Sequence, residues 1–389
     1  MTSQKFKQTE IGEIPKDWQI KTLGEVCEIS TGKSNTVDAV QDGKYAFFDR
    51  SKIIKKSSKY LFDCDAIIIA GEGQTFLPKF YSGKFDLHQR AYALFNFNKE
   101  IDIRYVYDYL IHFNKYFERV AVGATAKSLR LRHFQDLPIP IPPLAIQKAI
   151  VKILDEVFYS ISKSKENAEK NLKNVKELFE SYLEEIFSNP EEDWEEKKLG
   201  DYYDVRDGTH DSPKYQKTGF PLVTSKNLKE GKLDFQKISL ITKEDYDKIN
   251  SRSNVDKGDV LFAMIGTIGN PVVVKEEPNF AIKNVALFKV SKNQDSDFLK
   301  YILDSKSVIN KMLSESKGTT QKFVGLGYLR NFKIKIPTLP AQTAIVQKLD
   351  ALSEQVKQLE NIYKQKLKDL EELKKSMLQK AFSGELTKG

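Results

Sequence analysis

Polar and basic side chains cluster at the ends of short β-branched and apolar segments of the sequence. Arginine, glutamine and asparagine can form two hydrogen bonds with one base edge, and lysine or a hydroxyl can contact phosphate. The same side chains also serve as solvated surface charges or loop caps, so both roles are open at each position. In the first half of the chain the candidates are Arg50, Lys52, Gln74, His88, Gln89, Arg90, Lys127, Arg130 and Arg132. In the second half they are His210, Lys214, Ser225, Lys226, Asn227, Thr267, Asn270, Asn284 and Lys322.

Motifs for enzymatic chemistry are incomplete. The segment CEISTGKS at residues 27–34 ends like a phosphate-binding loop, but Cys27 occupies the position of its first glycine. The glycine turns AGEGQ (70–74) and MIGTIGN (264–270) follow strand-like runs, where a hairpin bend is far commoner than a nucleotide site. The two cysteines and four histidines are scattered without metal-ligand spacing. We therefore predict no catalytic constellation, no cofactor and no metal site.

The chain contains an internal repeat. IPPLAIQKAIVKILD at residues 141–155 returns as IPTLPAQTAIVQKLD at 336–350, 195 residues later. DWQIKTLGEVCEISTG (17–32) resembles DWEEKKLGDYYDVRDG (193–208) at a spacing of 176 residues. A fixed period of this kind predicts two copies of one unit, each a module followed by a long helix.

Each module has the pattern of a mixed α/β domain. Short runs such as AIIIA (66–70) and VALFKV (285–290) lie between Gly, Pro, Asn and Asp clusters and predict strands, with one or two helices between them. The predicted fold class is therefore mixed α/β, with two tandem α+β domains and two long helices. The predicted segments are a first domain at 1–143, a first spacer helix at 144–188, a second domain at 189–338 and a second spacer helix at 339–389.

The two predicted helices carry a coiled-coil pattern. The first keeps steps of four and three residues from Ile150 to Ala168 and then slips by one residue at Leu172. About 40 residues make a rod of roughly 60 Å, which is longer than one module can cover. We predict an antiparallel coiled coil with pseudo-twofold symmetry, the alternative being that each helix packs on its own module. In the second helix the stripe is Ile345, Leu349, Leu352, Val356, Leu359, Tyr363, Leu370, Leu373 and Met377.

Composition and charge agree with a globular protein of more than one domain. The chain has 389 residues, of which 40% are hydrophobic and 30% charged, and a formal net charge of +8. The two helices together contribute no net charge, so the excess lies in the modules, where phosphate-binding faces or a lysine-rich genome would both explain it. No apolar run approaches the roughly 18 residues that cross a bilayer, and MTSQKFKQTE lacks a signal region. We expect a cytoplasmic protein.

The sequence resembles the specificity (S) subunit of Type I restriction-modification systems. The resemblance lies in IGEIPKDWQIKTLGEV and DWEEKKLGDYYDV, in DGTHDSPKY and FPLVTSKNL, and in the two IPxLxxQxAIVxxLD blocks, and it covers essentially the whole chain. It implies two target-recognition domains that each read one half of a bipartite, asymmetric double-stranded DNA site. It also implies that the helices set the gap between the halves, and that the partners are two methyltransferase (M) subunits and restriction/translocase (R) subunits.

With this resemblance, the polar and basic candidates become predicted DNA contacts. Lys127 and Lys322 occupy matching positions of the repeat, so phosphate positioning or an intramolecular role suits them better than base readout. We predict a non-catalytic DNA-recognition subunit. The alternatives are a coiled-coil scaffold without DNA specificity and a stand-alone DNA-modifying enzyme.

Overall fold

The computed structural model describes residues 6–124, 127–318 and 322–386. The chain divides into two compact units. The first unit comprises the chain up to Glu169 together with the part from Gln365 onwards, and the second unit comprises Lys170–Lys364. Each unit therefore contains one module and a part of each long helix. Within the described ranges, no helix is both long and apolar enough to cross a membrane.

Twelve strands and four short helices of the described chain form the first module. The strands are β1 (Phe6–Thr9), β2 (Gly12–Pro15), β3 (Gln19–Thr22), β4 (Glu28–Thr31), β5 (Tyr45–Phe48), β6 (Lys55–Ser57), β7 (Phe62–Ala70), β8 (Glu72–Gly73), β9 (Lys79–Leu87), β10 (Ala91–Phe95), β11 (Lys127–Ser128) and β12 (Pro138–Ile141). The helices are α1 (Leu23–Val26), α2 (Ile103–His112), α3 (Lys115–Val120) and α4 (Leu131–Gln135), with a 3-10 turn at Thr36–Asp38. The first long helix, α5, follows at Leu144–Ser188.

The second module has the same kinds of element. Its strands are β13 (Glu195–Lys198), β14 (Asp204–Asp207), β15 (Phe220–Val223), β16 (Leu228–Lys229), β17 (Lys232–Leu233), β18 (Ser239–Ile241), β19 (Val260–Ala263), β20 (Gly269–Val273), β21 (Ala281–Ile282), β22 (Val285–Lys289) and β23 (Lys333–Ile336). Its helices are α6 (Leu199–Tyr202), α7 (Lys243–Ser253), α8 (Ser296–Asp304), α9 (Lys306–Glu315) and α10 (Leu326–Asn331), with a 3-10 turn at Ser225–Asn227. The second long helix, α11, spans Leu339–Phe382.

A six-stranded sheet in the order β4-β10-β7-β9-β5-β6 forms the centre of the first module. Its neighbours are antiparallel except for the parallel pair β5 and β9. Side chains alternate across a sheet, so Ile67 and Ile69 of β7 enter the core that contains α2 while Ile68 enters the core on the opposite face. The apolar run AIIIA is thus buried on both faces.

The second module uses the same strand order in two separate sheets. These are β14-β22-β19-β20 and β18-β15-β21, with β15 and β21 parallel. In the first module the single strand β9 pairs with both β7 and β5. In the second module two strands replace that single strand: β20 pairs with β19, and β21 pairs with β15. The segment 274–280 between β20 and β21 contains Pro278, which interrupts a strand because it cannot donate a ladder hydrogen bond. The repeat therefore extends to strand order.

The long helices pair antiparallel. In the first unit Lys374 lies 5.0 Å from the ring centroid of Phe158, and Lys165 lies 2.8 Å from Glu371, so partner numbers fall as residue numbers rise along α5. In the second unit the last turns of α5 and the first turns of α11 share an apolar cluster. This confirms the predicted coiled-coil fold class. Leu359 and Leu373, which the heptad pattern places on the seam, are 40% and 45% exposed, so the prediction was wrong at these two positions.

Candidate nucleic-acid interface

Three strand ends converge at one edge of the first unit and bring Arg50, Glu72 and Arg90 together. Arg90 Nη1 donates to Glu72 Oε1 at 2.6 Å, and Arg50 Nη1 donates to Glu72 Oε2 at 3.2 Å. The Glu72 side chain is 16% exposed, whereas those of Arg50 and Arg90 are 52% and 58% exposed. Each guanidinium donates one N–H group to the carboxylate, and its other N–H groups have no hydrogen-bond partner within the described residues. We call these three residues the arginine clamp.

His88 lies behind the arginine clamp. The residue is 5% exposed, and its Nδ1 accepts the backbone N–H of Arg90 at 3.0 Å. Burial lowers the pKa of His88, and the charges of Arg50 and Arg90 lower it further. A neutral imidazole can accept this hydrogen bond, whereas an imidazolium cannot. His88 therefore fixes the turn that carries Arg90, and its ring is not presented at the surface.

Two buried carboxylates hold the loops around this edge. Asp86, which is 2% exposed, accepts the hydroxyls of Ser34 at 2.8 Å and Ser57 at 2.9 Å. Asp49 accepts Lys55 Nζ at 2.6 Å. Burial alone would raise the pKa of Asp49, but the hydrogen bonds from Lys55 and a backbone N–H outweigh it, so the pKa is lowered. Sequence reasoning missed Glu72, Asp86 and Asp49, because a carboxylate next to basic residues has no distinctive local pattern.

The other candidates of the first module are dispersed. Gln89 donates its side-chain amide to Asn35 Oδ1 at 2.6 Å. Four candidates are exposed and make no side-chain hydrogen bond or ion pair within the described ranges: Lys52, Gln74, Arg130 and Arg132. These four side chains are free to contact a ligand.

At the corresponding edge of the second unit, His210 is the central residue. Its Nδ1 lies 2.7 Å from Asn284 Oδ1, and its Nε2 lies 2.9 Å from Asp207 Oδ2. The His210 side chain is 58% exposed. Asn284 has φ = 55°, a left-handed conformation that asparagine tolerates better than most residues. Arg252 Nη2 lies 3.8 Å from Asp207, so this edge also combines a carboxylate with cationic and amide groups.

Asn227 is committed to its own loop. Its Oδ1 accepts the backbone N–H and the hydroxyl of Thr224 at 3.0 and 2.9 Å, and its Nδ2 donates to the carbonyl of Asp234 at 2.9 Å. Because both ends of the amide are used and the residue is 7% exposed, it shapes the loop that carries Ser225 and Lys226. The candidates with no side-chain hydrogen bond or ion pair to the described chain are Lys214, Ser225, Lys226, Thr267 and Asn270.

Lys127 and Lys322 make the same contact in both units. Lys127 Nζ donates to the carbonyl of Glu118 at 2.8 Å, and Lys322 Nζ donates to the carbonyl of Leu313 at 3.0 Å. The accepting carbonyls lie in the last turns of α3 and α9, where helix carbonyls lack intrahelical partners. Both lysines thus make an intramolecular contact, which is one of the two roles that their repetition favours. No group of three or more His, Cys, Asp or Glu side chains within the described ranges could hold a metal ion.

The sequence matches a family model twice. Residues 15–173 and 191–369 match the family described as Type I restriction modification DNA specificity domain. The MjaVIII specificity subunit of Methanocaldococcus jannaschii is 25% identical, over 96% of this chain and 93% of that protein. The putative MjaX specificity subunit of the same organism is 27% identical over 98% and 97%. The EcoDI specificity subunit of Escherichia coli is 30% identical over 41% of this chain and 35% of that protein.

Solved structures share the fold. The HsdS subunit from Thermoanaerobacter tengcongensis superposes with a TM-score of 0.60 at 17% identity, over 97% of this chain and all of that chain. A chain from a structure of type I R-M complex assembly gives a TM-score of 0.72 at 17% identity, over 96% and 99%. Two copies of the specificity domain together span most of the sequence, and the two Methanocaldococcus jannaschii relatives match over nearly their full length. The chain therefore belongs to the family of Type I restriction-modification specificity subunits.

Proposed function

We propose that residues 1–143 read one half of a bipartite, asymmetric DNA site and that residues 189–338 read the other half. The carrying observation is that two modules with the same strand order present different side chains at the corresponding edge. The first edge carries the arginine clamp, and the second carries His210 with Asn284. Because hydrogen-bonding groups distinguish base pairs in the major groove, unlike edges would select unlike sequences.

Module exchange tests this proposal. Replacing residues 1–140 by the first module of a relative should change one half of the methylated sequence and leave the other half and the gap intact. The reciprocal exchange of residues 193–338 should change only the other half. Mapping of methylated adenines in genomic DNA provides the readout, and a change in both halves after either exchange would contradict the modular assignment.

We propose further that segments 144–188 and 339–389 are spacer helices that set the gap between half-sites and dock two M subunits, with R subunits joining the complex. A contiguous exposed apolar patch is typical of a docking surface. The exposed apolar side chains that would contribute to such a patch on α5 and α11 are Tyr159, Leu178, Leu359, Ile362 and Leu373.

Insertions into both long helices test the spacer role. Seven residues add two helical turns, about 10 Å, which corresponds to roughly three base pairs of duplex. The gap should lengthen while both half-sequences persist. An insertion of two residues is the control, because it turns the apolar stripe away from its partner and should lower stability instead. An active seven-residue insertion with an unchanged gap would exclude the helices as the spacer.

The chain itself would be non-catalytic and would need no cofactor, with methyl transfer supplied by the M subunits. A subunit that acts on chromosomal DNA in this way would work in the cytoplasm. Isothermal titration of the isolated chain with S-adenosylmethionine and with ATP checks this, and micromolar binding of either ligand would revive the stand-alone enzyme.

A further inference from the structure

We propose that the arginine clamp reads a guanine, as part of a G·C pair, in the half-site recognised by the first module, with Glu72 as its positioning residue. This inference rests on the proposed function and extends it to the identity of a base. Its basis is the convergence of three strand ends, which places two half-exposed arginines on one largely covered carboxylate.

The backbone holds Glu72 in place. Its strand β8 pairs with β11, where Glu72 faces Ser128. The preceding residue, Gly71, donates its N–H to the carbonyl of Arg90 at 2.8 Å. A Cβ atom at Gly71 would lie 2.7 Å from that carbonyl and 2.8 Å from the ring of Tyr92, so only glycine permits this approach. The carboxylate and the turn that carries Arg90 are therefore fixed relative to each other.

The chemistry of the arginine clamp favours a base over a phosphate. Guanine presents O6 and N7 acceptors in the major groove, which match two N–H donors of one guanidinium, and the paired cytosine presents an N4 donor that a carboxylate can accept. Each arginine keeps N–H groups beyond the one that binds Glu72. An arginine held by a carboxylate loses less side-chain entropy on binding. A carboxylate at a phosphate site would repel the ligand, so Glu72 is unfavourable for phosphate binding alone.

Space is present beside the arginine clamp. An open depression of about 430 Å³ is lined by two members of the arginine clamp, Arg50 and Glu72, together with Thr36, Asp49, Ser51, Lys55 and Gly73. Its openness suits the exposed edge of a base pair in a groove, which needs no enclosed cavity.

The second module lacks the arginine clamp and therefore provides an internal control. Glu72 pairs with Ser128, and Ile265 pairs with Phe323. Ser128 and Phe323 lie 195 residues apart, which is the period of the repeat, so Ile265 occupies the position of Glu72. The carbonyl of Phe48 accepts the N–H of His88, and the carbonyl of Val223 accepts the N–H of Lys283. Phe48 and Val223 therefore match, and Ser225, two residues after Val223, occupies the position of Arg50. Ile265 has no carboxylate and Ser225 has no guanidinium, so the second module cannot hold two arginines on one carboxylate at these positions.

The experiment uses the full chain assembled with its M subunits. Selection from randomised duplexes should recover a guanine in the half-site assigned to the first module by the exchange experiment. Replacing that guanine by 7-deazaguanine, which lacks the N7 acceptor, should weaken binding by about 10- to 100-fold. Inosine keeps O6 and N7 and lacks only the minor-groove amino group, so its substitution should leave the affinity nearly unchanged.

Two conservative variants test the roles of the residues. Arg90→Lys keeps the charge but loses the paired donors, and Glu72→Gln loses the charge that holds both arginines. Both should reduce discrimination for guanine about tenfold or more, while affinity for random DNA is unchanged or, for Glu72→Gln, higher. A purely structural defect would lower both affinities together. The control Arg206→Lys, in a carboxylate-paired arginine of the second module, should leave the first half-site intact.

The outcomes separate this inference from the proposed function. If that half-site contains no guanine, or if both variants retain full discrimination, the arginine clamp does not read the base and module-wise recognition stands. If the wild-type complex shows no sequence preference at all, the proposed function itself fails. Thermal melting of each variant confirms folding, and Arg50→Lys provides a third test should Glu72→Gln not fold.

Discussion

The two modules share the contacts that hold their scaffold and differ at the edge that faces a ligand. Gln147 and Gln342 are both fully buried, and each donates to a proline carbonyl at the start of its long helix at 2.9 Å. Lys127 and Lys322 likewise each donate to a carbonyl in the last turn of a helix of their own module. At the edge, by contrast, the Glu72 position is Ile265 in the second module.

This difference gives a rule for an internally repeated chain. A side chain that recurs with the same partner in both copies serves the architecture, which both modules need. A side chain that differs between the copies at a surface position is a candidate for specificity, which must differ between half-sites. The following variants test the division, starting with those expected to damage both modules most.

Alanine at Gly32 or Gly208 should have the largest effect. A Cβ at Gly32 would lie 1.8 Å from the carbonyl oxygen of Leu87, and one at Gly208 would lie 2.3 Å from that of Ile282. Backbone atoms must move in each case, so each variant should lose more than about 3 kcal/mol of unfolding free energy. Gly327→Ala is the control, since nothing lies within 4 Å of its Cβ. Chemical denaturation measures the effect, and wild-type stability of either variant would refute the shared scaffold contact.

Asp108→Asn should remove a pH dependence that originates in the first unit. Burial raises the pKa of Asp108 to about 7, although Arg104 opposes the shift; Asp155 raises the pKa and Lys374 lowers it. The folded state thus keeps a proton that the unfolded chain releases near pH 4. The contribution to stability is fully present below about pH 4 and is lost as the pH rises through about 7. In the second unit Tyr301 occupies the corresponding helix position.

The asparagine variant cannot ionise and should therefore gain stability relative to wild type as the pH rises. We expect a gain that is about 2–3 kcal/mol larger at pH 8 than at pH 5. Paired denaturation curves at the two pH values give the measurement. Equal differences at both pH values would show that the Asp108 carboxyl is not held protonated.

Removing the buried glutamines should destabilise the two units unequally. The Oε1 of Gln147 accepts the N–H of Asp102 at 2.8 Å, whereas that of Gln342 accepts the N–H of Asp295 at the longer distance of 3.3 Å. We expect losses of about 2 kcal/mol for Gln147→Ala and about 1 kcal/mol for Gln342→Ala. The exposed Gln358→Ala should change little. A larger loss for Gln342→Ala would reverse the comparison.

The scaffold could be predicted from the sequence because its signals are local or repeated. Each strand run and each long heptad helix lies within one continuous segment, and the period of 195 residues repeats such segments. The heptad pattern identified the face of α11 but not how far its partner covers that face, so the exposure of Leu359 and Leu373 was not predicted.

The arrangement at the edge was less predictable. Arg50 and Arg90 were candidates individually, but Glu72 lies 22 and 18 residues from them. Their meeting depends on the order of the strands in the sheet, which periodicity does not encode. His88 was an equally plausible ligand contact in the sequence, but the residue is buried and its imidazole accepts a hydrogen bond from the backbone of its own turn.

The smallest expected effect distinguishes capping from phosphate binding at Lys127 and Lys322. If each amino group serves mainly the helix carbonyl that it contacts, alanine should lower stability by about 0.5 kcal/mol and leave the salt dependence of DNA binding unchanged. If either lysine binds phosphate, its removal should reduce the slope of log affinity against log salt by about 0.9. Binding titrations at several salt concentrations, with Lys52→Ala as the exposed comparison, give this slope. Because the two lysines make the same contact in both modules, a change of slope for only one of them would show that the repeated contact does not define its function.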